Sequence, residues 1–299
     1  MTTVAFLACA TTVPGSGERR GDAFEHDLMI ANLEPAFAAK GLALRVIDWE
    51  APLADFEGVD CALLGTAWNY QDRADVFLEK LDALQANGVA IHNPPDLVRW
   101  NITKTYLREL EEAGVCTIPT LWREKVTEKG VIEALNVFEC DRVVVKRQVG
   151  AGAEGQELMH RSSLPGPDWV FGAPAMIQPY LPAIATEGEL SFIIVDGAIS
   201  HALVKRAADG EYRIQSLYGG TEEDYQPSAE DLSAAKAVLD AVPFETPLYA
   251  RIDMLRMEDG GANGSLALME AELIEPYLYP VQGPQLGERL ADAIAKRVR

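Results

Sequence analysis

The sequence predicts an α/β protein: an open parallel sheet flanked by helices at the N-terminus, then two mixed segments of strands and helices. Three observations carry this. Short apolar runs alternate with amphipathic helical stretches over residues 1–95. A valine-rich strand then runs into a glycine-rich loop. The last third is dominated by paired β-runs around turn residues.

In chain order, "VAFLACA" and "CALLG" read as buried parallel strands. "HDLMIANLEPAFAAKG" and "ADVFLEKLDALQANG" read as amphipathic helices that close on Gly41 and Gly88. "VAIHN" is a third short strand, and "NPPDL" breaks the pattern near residue 95. The spacing of "ITKTYLRELEEAG" predicts a helix burying Tyr106, Leu107, Leu110 and Ala113, with Lys104 in its first turns. "RVVVKRQVGAGAEGQEL" is a strand entering the glycine loop, and "PAMIQPYLP" is a strand ended by proline. "ELSFIIVDGAISHALVKR" is a hairpin about Asp196-Gly197. "PSAEDLSAAKAVLDAV" is a helix with Ser228 and Asp231 placed as a capping box, and "GERLADAIAKRV" is the final helix. These changes of style divide the chain into residues 1–95, 96–180 and 181–299.

The chain has 299 residues, 48% hydrophobic and 24% charged, which suits a soluble globular protein. Its formal charge of −20 argues against nucleic acid as a partner, because a polyanion would be repelled. No run approaches the roughly 18 apolar residues that span a membrane. Cys9, Cys61, Cys116 and Cys140 are scattered, without metal-ligand or redox spacing, as expected for small apolar residues in a reducing cytosol.

Chemistry concentrates in "YARIDMLRMEDGGANGSLALMEAELIEP". Residues two apart in a strand share a face, so Glu270 and Glu272 point one way, and Arg251 and Asp253 share a face on the preceding run. A hairpin symmetric about residues 261 and 262 sets Asp253 opposite Glu270 and Arg251 opposite Glu272. Partners this close, roughly 5 Å, repel when both are carboxylates, unless a cation lies between them. Asp253, Glu270 and Glu272 therefore make a candidate Mg²⁺ cage of hard oxygen ligands. An exposed hairpin face with Arg251 neutralising one acid accounts for the same pattern. Lys146 ends "VVVK" and precedes "RQVGAGAEG", where backbone N–H groups and a lysine can meet phosphates, although the stretch is neither a Walker A sequence nor a dinucleotide fingerprint. Trp68, Asn69 and Tyr70 follow the second strand, at the end of a parallel sheet where ligands bind, and core packing explains Trp68 equally well.

Taken in order, these features resemble the ATP-grasp superfamily, in its glutathione-synthetase-like branch. A helix lysine, a strand lysine with a glycine loop, "IQPYL", a basic strand and an acid-bearing hairpin follow one another. "NPPDLVRWNITKTYL", "RIDML" and "LMEAELIEPYLY" further resemble the small stand-alone bacterial ligases, O-ureido-serine cyclo-ligases among them. The resemblance implies an ATP-grasp fold: a substrate-side domain over 1–95, a central subdomain over 96–180 and a metal-binding C-terminal subdomain over 181–299. It implies ATP and Mg²⁺ as cofactors. Lys104 and Lys146 would contact the phosphates and adenine, with Gly150 and Gly152 in the covering loop. Gln178, Tyr180 and Leu181 would lie in the linker that reads adenine, and Glu187 or Glu189 would hold the ribose. Asp253, Glu270 and Glu272 would hold metal, Glu272 standing where an asparagine is usual. Lys205, Arg213 and Arg251 would steady the transferring phosphoryl group. The implied activity is a carbon–nitrogen ligation through an acyl phosphate, either closing a ring or joining two molecules, with a small-molecule kinase on the same scaffold as a further reading. The expected partner is a small amino-acid-like carboxylate, without nucleic acid or membrane. The expected compartment is the cytoplasm, and a homo-oligomer is compatible with the chain.

Overall fold

The computed structural model describes residues 1–15, 17, 19–150, 155–208, 211, 213–214, 216–257 and 264–298, and among these described residues there are fifteen strands and eight α-helices. The N-terminal layer holds β1 (Thr2–Ala8), α1 (Ala23–Ala39), β2 (Leu42–Asp48), β3 (Cys61–Thr66), α2 (Ala74–Ala86) and β4 (Ala90–Ile91). Its sheet is parallel, in the order β2-β1-β3-β4. The expected strands and helices are present, and Gly41 and Gly88 after the two helices take left-handed backbone. Strand β2 is an addition to the sequence reading. It is an edge strand with Arg45 and Val46 facing solvent, so it lacks the continuous apolar run that marks β1 and β3.

The proline pair at "NPPDL" begins a helix. Pro95 takes the first position of α3 (Pro95–Asn101), where its missing N–H costs nothing. Helix α4 (Tyr106–Glu112) starts later than expected and leaves Lys104 in the turn before it. Tyr106, Leu107 and Leu110 are buried, while Ala113 lies beyond the helix and is exposed. Both helices pack on the C-terminal sheet through Leu97, Tyr106, Leu107 and Leu110.

The central sheet contains β5 (Leu121–Arg123), β7 (Arg142–Arg147), β8 (Glu157–His160) and β10 (Ala175–Pro179), in the antiparallel order β5-β10-β7-β8. Helix α5 (Glu128–Val137) covers it, and β6 (Val126–Thr127) pairs with β9 (Val170–Phe171). The short helix α6 (Ala183–Thr186) leads into the C-terminal sheet of β11 (Glu189–Val195), β12 (Ala198–Arg206), β13 (Thr221–Asp224), β14 (Tyr249–Arg256) and β15 (Leu266–Glu272), ordered β13-β12-β11-β14-β15. Asp196 and Gly197 both have positive φ, the backbone that a two-residue β11–β12 turn requires. Helix α7 (Ala229–Ala241) carries the expected capping box, with Ser228 and Asp231 each bonded to the other's backbone.

The last helix, α8 (Leu286–Arg297), returns to the N-terminal layer and packs beside α1. Leu290 and Ile294 are fully buried there, each worth about 1.5–3 kcal/mol of transfer free energy. That burial ties the two ends of the chain together around the cleft.

Gly188, just before β11, has φ +100°, and a Cβ there would sit 2.5 Å from the Lys205 carbonyl oxygen. A left-handed non-glycine residue costs about 1–3 kcal/mol before any clash. Gly188→Ala is expected to lower the melting temperature by several degrees, and an unchanged thermal melt would contradict this placement.

Candidate active site

The three layers meet at a cleft of about 450 Å³. One wall comes from the C-terminal sheet. There Arg251 pairs with Glu272 and Asp253 with Glu270, in the register expected from a hairpin centred on residues 261 and 262. A bulge follows, because Met254 pairs with Leu268 and Met269 becomes the extra residue. The hairpin tip, residues 258–263, lies outside the described residues.

The acids face the cleft rather than bulk water, and each meets a cation. Lys104 Nζ donates to Glu270 Oε1 at 2.5 Å and to the Gly150 carbonyl at 2.8 Å. Arg251 Nε donates to both Asp253 oxygens at 3.1 and 3.0 Å, and its terminal nitrogen pairs with Glu272. Lys205 Nζ lies 3.2 Å from Asp253 Oδ1 and also pairs with Glu189. Ser191 Oγ donates to Asp253 Oδ1 at 2.5 Å.

Burial disfavours the Asp253 carboxylate, but Arg251 and Lys205 outweigh it and hold the acid below its usual range. Burial likewise pushes Glu272 up to about 7, with Glu270 and Asp253 adding to the shift and Arg251 opposing it. Lys104 stays charged because Glu270 more than offsets its desolvation. Lys146 is the contrasting case. Burial lowers its affinity for a proton, and its side chain makes no hydrogen bond or ion pair among the described residues.

The other expected residues divide as follows. Gln178, Tyr180 and Leu181 line the cleft at the end of β10. Gln178 Nε2 donates to Thr120 Oγ1 at 3.0 Å, and its buried Oε1 has no partner among the described residues. The Tyr180 N–H is taken by the Arg142 carbonyl. Glu189 is 1% exposed and spent on Lys205. Glu187 is not among the lining residues: Arg256 Nε bonds both of its oxygens, at 3.1 and 3.0 Å. The structure thus removes Glu187 from the cleft and leaves Glu189 as the inner acid. Arg213 lines the cleft, paired with Glu211 and stacked 3.7 Å from the centre of the Tyr218 ring. Gly150 lines the cleft and offers a carbonyl to Lys104, and Gly152 lies outside the described residues. Trp68 and Asn69 form part of the wall, whereas Tyr70 stands behind them, stacked on Phe77. Cys9 and Cys61 are buried as expected, and Cys116 is exposed.

Several lining residues escaped the sequence reading. Ile118, Leu255 and Met269 give one end of the cleft an apolar floor, and Arg20 and Asp22 from the loop after β1, with Glu25 in the first turn of α1, extend the wall. Arg20 donates to the Trp68 carbonyl at 2.7 Å and pairs with Asp22. The signal for this segment was its place at the carboxyl end of a parallel strand. Glu275, the last acid of the hairpin stretch, belongs to the cleft as well. It is 9% exposed, lines the cleft and accepts from Gln71 Nε2 at 3.3 Å.

Burial, reinforced by Glu272, pushes Glu275 up to about 8. The folded protein then holds a proton that the unfolded chain releases near the ordinary value of 4.5. Stability of the unliganded protein is therefore expected to fall as pH rises from about 5 to about 8. Thermal melts over that range check this, and Glu275→Gln is expected to flatten the slope.

The three expected metal ligands share one face but do not form a preassembled cage. Among the described residues, no group of three or more His, Cys, Asp or Glu side chains is arranged to hold a metal ion. Asp253 has both oxygens engaged, while the Glu270 and Glu272 side chains keep 23% and 27% exposure. The donor chemistry suits a hard divalent cation, provided Lys104 and Arg251 give way.

The chain is similar to several known proteins. Residues 4–93 match the family model described as the N-terminal domain of D-cycloserine synthetase DcsG. The cycloserine biosynthesis protein DcsG of Streptomyces lavendulae is 28% identical over 278 residues, covering 87% of this chain and 90% of that protein. A glutathione synthetase of Parasynechococcus marenigrum is 25% identical over 228 residues, 73% of this chain and 68% of that protein. The crystal structure of D-cycloserine synthetase DcsG superposes with a TM-score of 0.80 at 24% identity, covering 99% of this chain and all of that one. A D-alanine–D-alanine ligase of Bacillus anthracis, in complex with ATP, gives 0.66 at 17% identity, covering 100% and 97%. Among the described residues no helix is long and apolar enough to cross a membrane. From β1 to α8, this chain has the ATP-grasp fold.

Proposed function

We propose that the chain is an ATP-dependent carbon–nitrogen ligase. It activates a small-molecule carboxylate as an acyl phosphate and captures it with a nitrogen, most specifically closing the ring of D-cycloserine from O-ureido-D-serine. The observation that carries this reading is the meeting of Lys104, Lys146, Arg251, Glu270 and Glu272 in one cleft between the sheets. The likeness to DcsG over most of both chains supports the ring-closing form.

The nucleotide fits the end floored by Ile118, Leu255 and Met269. The unpaired Gln178 Oε1 there suits an N–H donor such as the adenine amino group. Lys146, without an anion of its own, supplies a charge for the phosphates. Glu270 and Glu272 would hold magnesium, which neutralises charge on the phosphate oxygens when bound. Lys104, pointing from the turn before α4, passes from Glu270 to the transferring group. Arg251 lies beside the same acids and steadies the negative charge that builds at the phosphoryl oxygens and then at the acyl oxygen. Lys205 and Asp253 hold Arg251 in place from beneath. Lys146 and Arg147 of β7 and Gly150 just after it line the cleft, and the glycine loop that follows would limit access of water to the acyl phosphate.

Phosphate release tests the reading. With ATP, magnesium and O-ureido-D-serine, the protein is expected to yield ADP, free phosphate and the cyclic product, with the carbamoyl group on the ring nitrogen released by water as carbon dioxide and ammonia. Phosphoryl transfer without free phosphate would make it a kinase, and a linear amide would make it an intermolecular ligase.

A further inference from the structure

The acids around the cleft fall into two groups. Glu189, Asp253, Glu270 and Glu272 each pair with a lysine or arginine. Glu275 does not: among the described residues, no cationic side chain lies within ion-pair distance of it. Its contacts are with Gln71 Nε2, at 3.3 Å, and the Tyr70 hydroxyl. The backbone is pinned as well, since the Glu275 carbonyl accepts from Trp68 Nε1 at 2.8 Å. Three residues of the segment after β3 thus hold a buried acid at the cleft wall.

A buried acid with no cation beside it cannot ionise without cost, and a glutamine of the same shape would fill the space without that liability. Keeping the acid is useful when its counter-charge arrives with the ligand. Building on the ligase reading above, we propose that Glu275, oriented by Gln71 and Tyr70, is the recognition site for the substrate's α-ammonium group. The substrate class is then an α-amino acid, and its own amine takes no part in the bond that forms. The chemistry is consistent with this. An ammonium offers three N–H donors and has no lone pair, and a carboxylate beside it favours that protonated form. An amine held this way cannot attack the acyl phosphate, so a different nitrogen closes the bond. Without such a hold, the α-amine of a second substrate molecule would compete and give linear dimers.

The test compares O-ureido-D-serine with the analogue that lacks its α-amino group, using phosphate release with ATP and magnesium. Wild type is expected to prefer the amino compound by about 100-fold in kcat/KM, as for a desolvated charge pair. In Glu275→Gln that preference should shrink to about threefold or less, through KM for the amino compound, with KM for ATP unchanged. Glu275→Asp should restore part of it. Equal losses for both compounds would make Glu275 a strut between the N-terminal layer and the segment after β15, and would overturn the proposal. So would a wild type that treats both compounds alike, an outcome that leaves the ligase reading standing. A wild type that releases no phosphate with O-ureido-D-serine overturns the cyclo-ligase reading and this proposal with it.

Discussion

Replacing Glu270 by alanine is expected to reduce ATP-dependent phosphate release to below about one hundredth of wild type while the protein stays folded. Two losses combine. The variant lacks an oxygen ligand that faces the cleft, and Lys104 loses the partner that holds it charged at 2.5 Å. The side chain is partly exposed, so its removal leaves no sealed cavity. Glu270→Gln separates the two effects. It keeps an oxygen for Lys104 but removes the negative charge a metal needs. If the amide variant turns over near the wild-type rate, Glu270 serves only to place Lys104, and the metal assignment fails. Circular dichroism melts of both variants establish that any loss is local.

Lys146→Ala carries the second large effect. This lysine is the penultimate residue of β7 and lines the cleft, and its side chain makes no hydrogen bond or ion pair among the described residues. Its removal therefore disturbs little in the empty protein. The loss falls on binding: a hydrogen bond to a charged group is worth about 1.5–3 kcal/mol, which corresponds to roughly a 10–100-fold rise in KM for ATP. Titration with a slowly hydrolysed ATP analogue should show the same weakening. Unchanged nucleotide affinity would remove Lys146 from the site and leave Lys104 as the lysine that meets phosphate.

What could be read from the sequence depended on range. The hairpin register was legible because its determinants are local. A polar, glycine-rich turn centred on residues 261 and 262 sets Arg251 opposite Glu272 and Asp253 opposite Glu270 by counting alone, and the strands pair that way. The bulge at Met269 was not legible, since it alters the count only beyond the acids. The capping box at Ser228 and the turn at Asp196-Gly197 were also local and are present. Strand β2 was hidden by its edge position, with Val46 turned to solvent. The start of α3 was hidden because a proline at the first helical position reads equally as a break.

Long-range partners were beyond the sequence. Lys104 and Glu270 are separated by 166 residues, and nothing in either neighbourhood names the other. The same holds for Arg256, which takes Glu187 away from the cleft, and for Gln71, which reaches Glu275 across 204 residues. The acid-bearing ribbon was read as crowded by a metal. Unliganded, it is crowded by the protein's own cations, with Arg251 and Lys205 on Asp253 and Lys104 on Glu270.

That exchange of cations is the central claim, and a crystal structure with magnesium and a slowly hydrolysed ATP analogue tests it most directly. The account predicts a metal bound by Glu270 and Glu272, and Lys104 moved from Glu270 onto the phosphates. A nucleotide bound with Lys104 still paired to Glu270, and no metal on either glutamate, would contradict it.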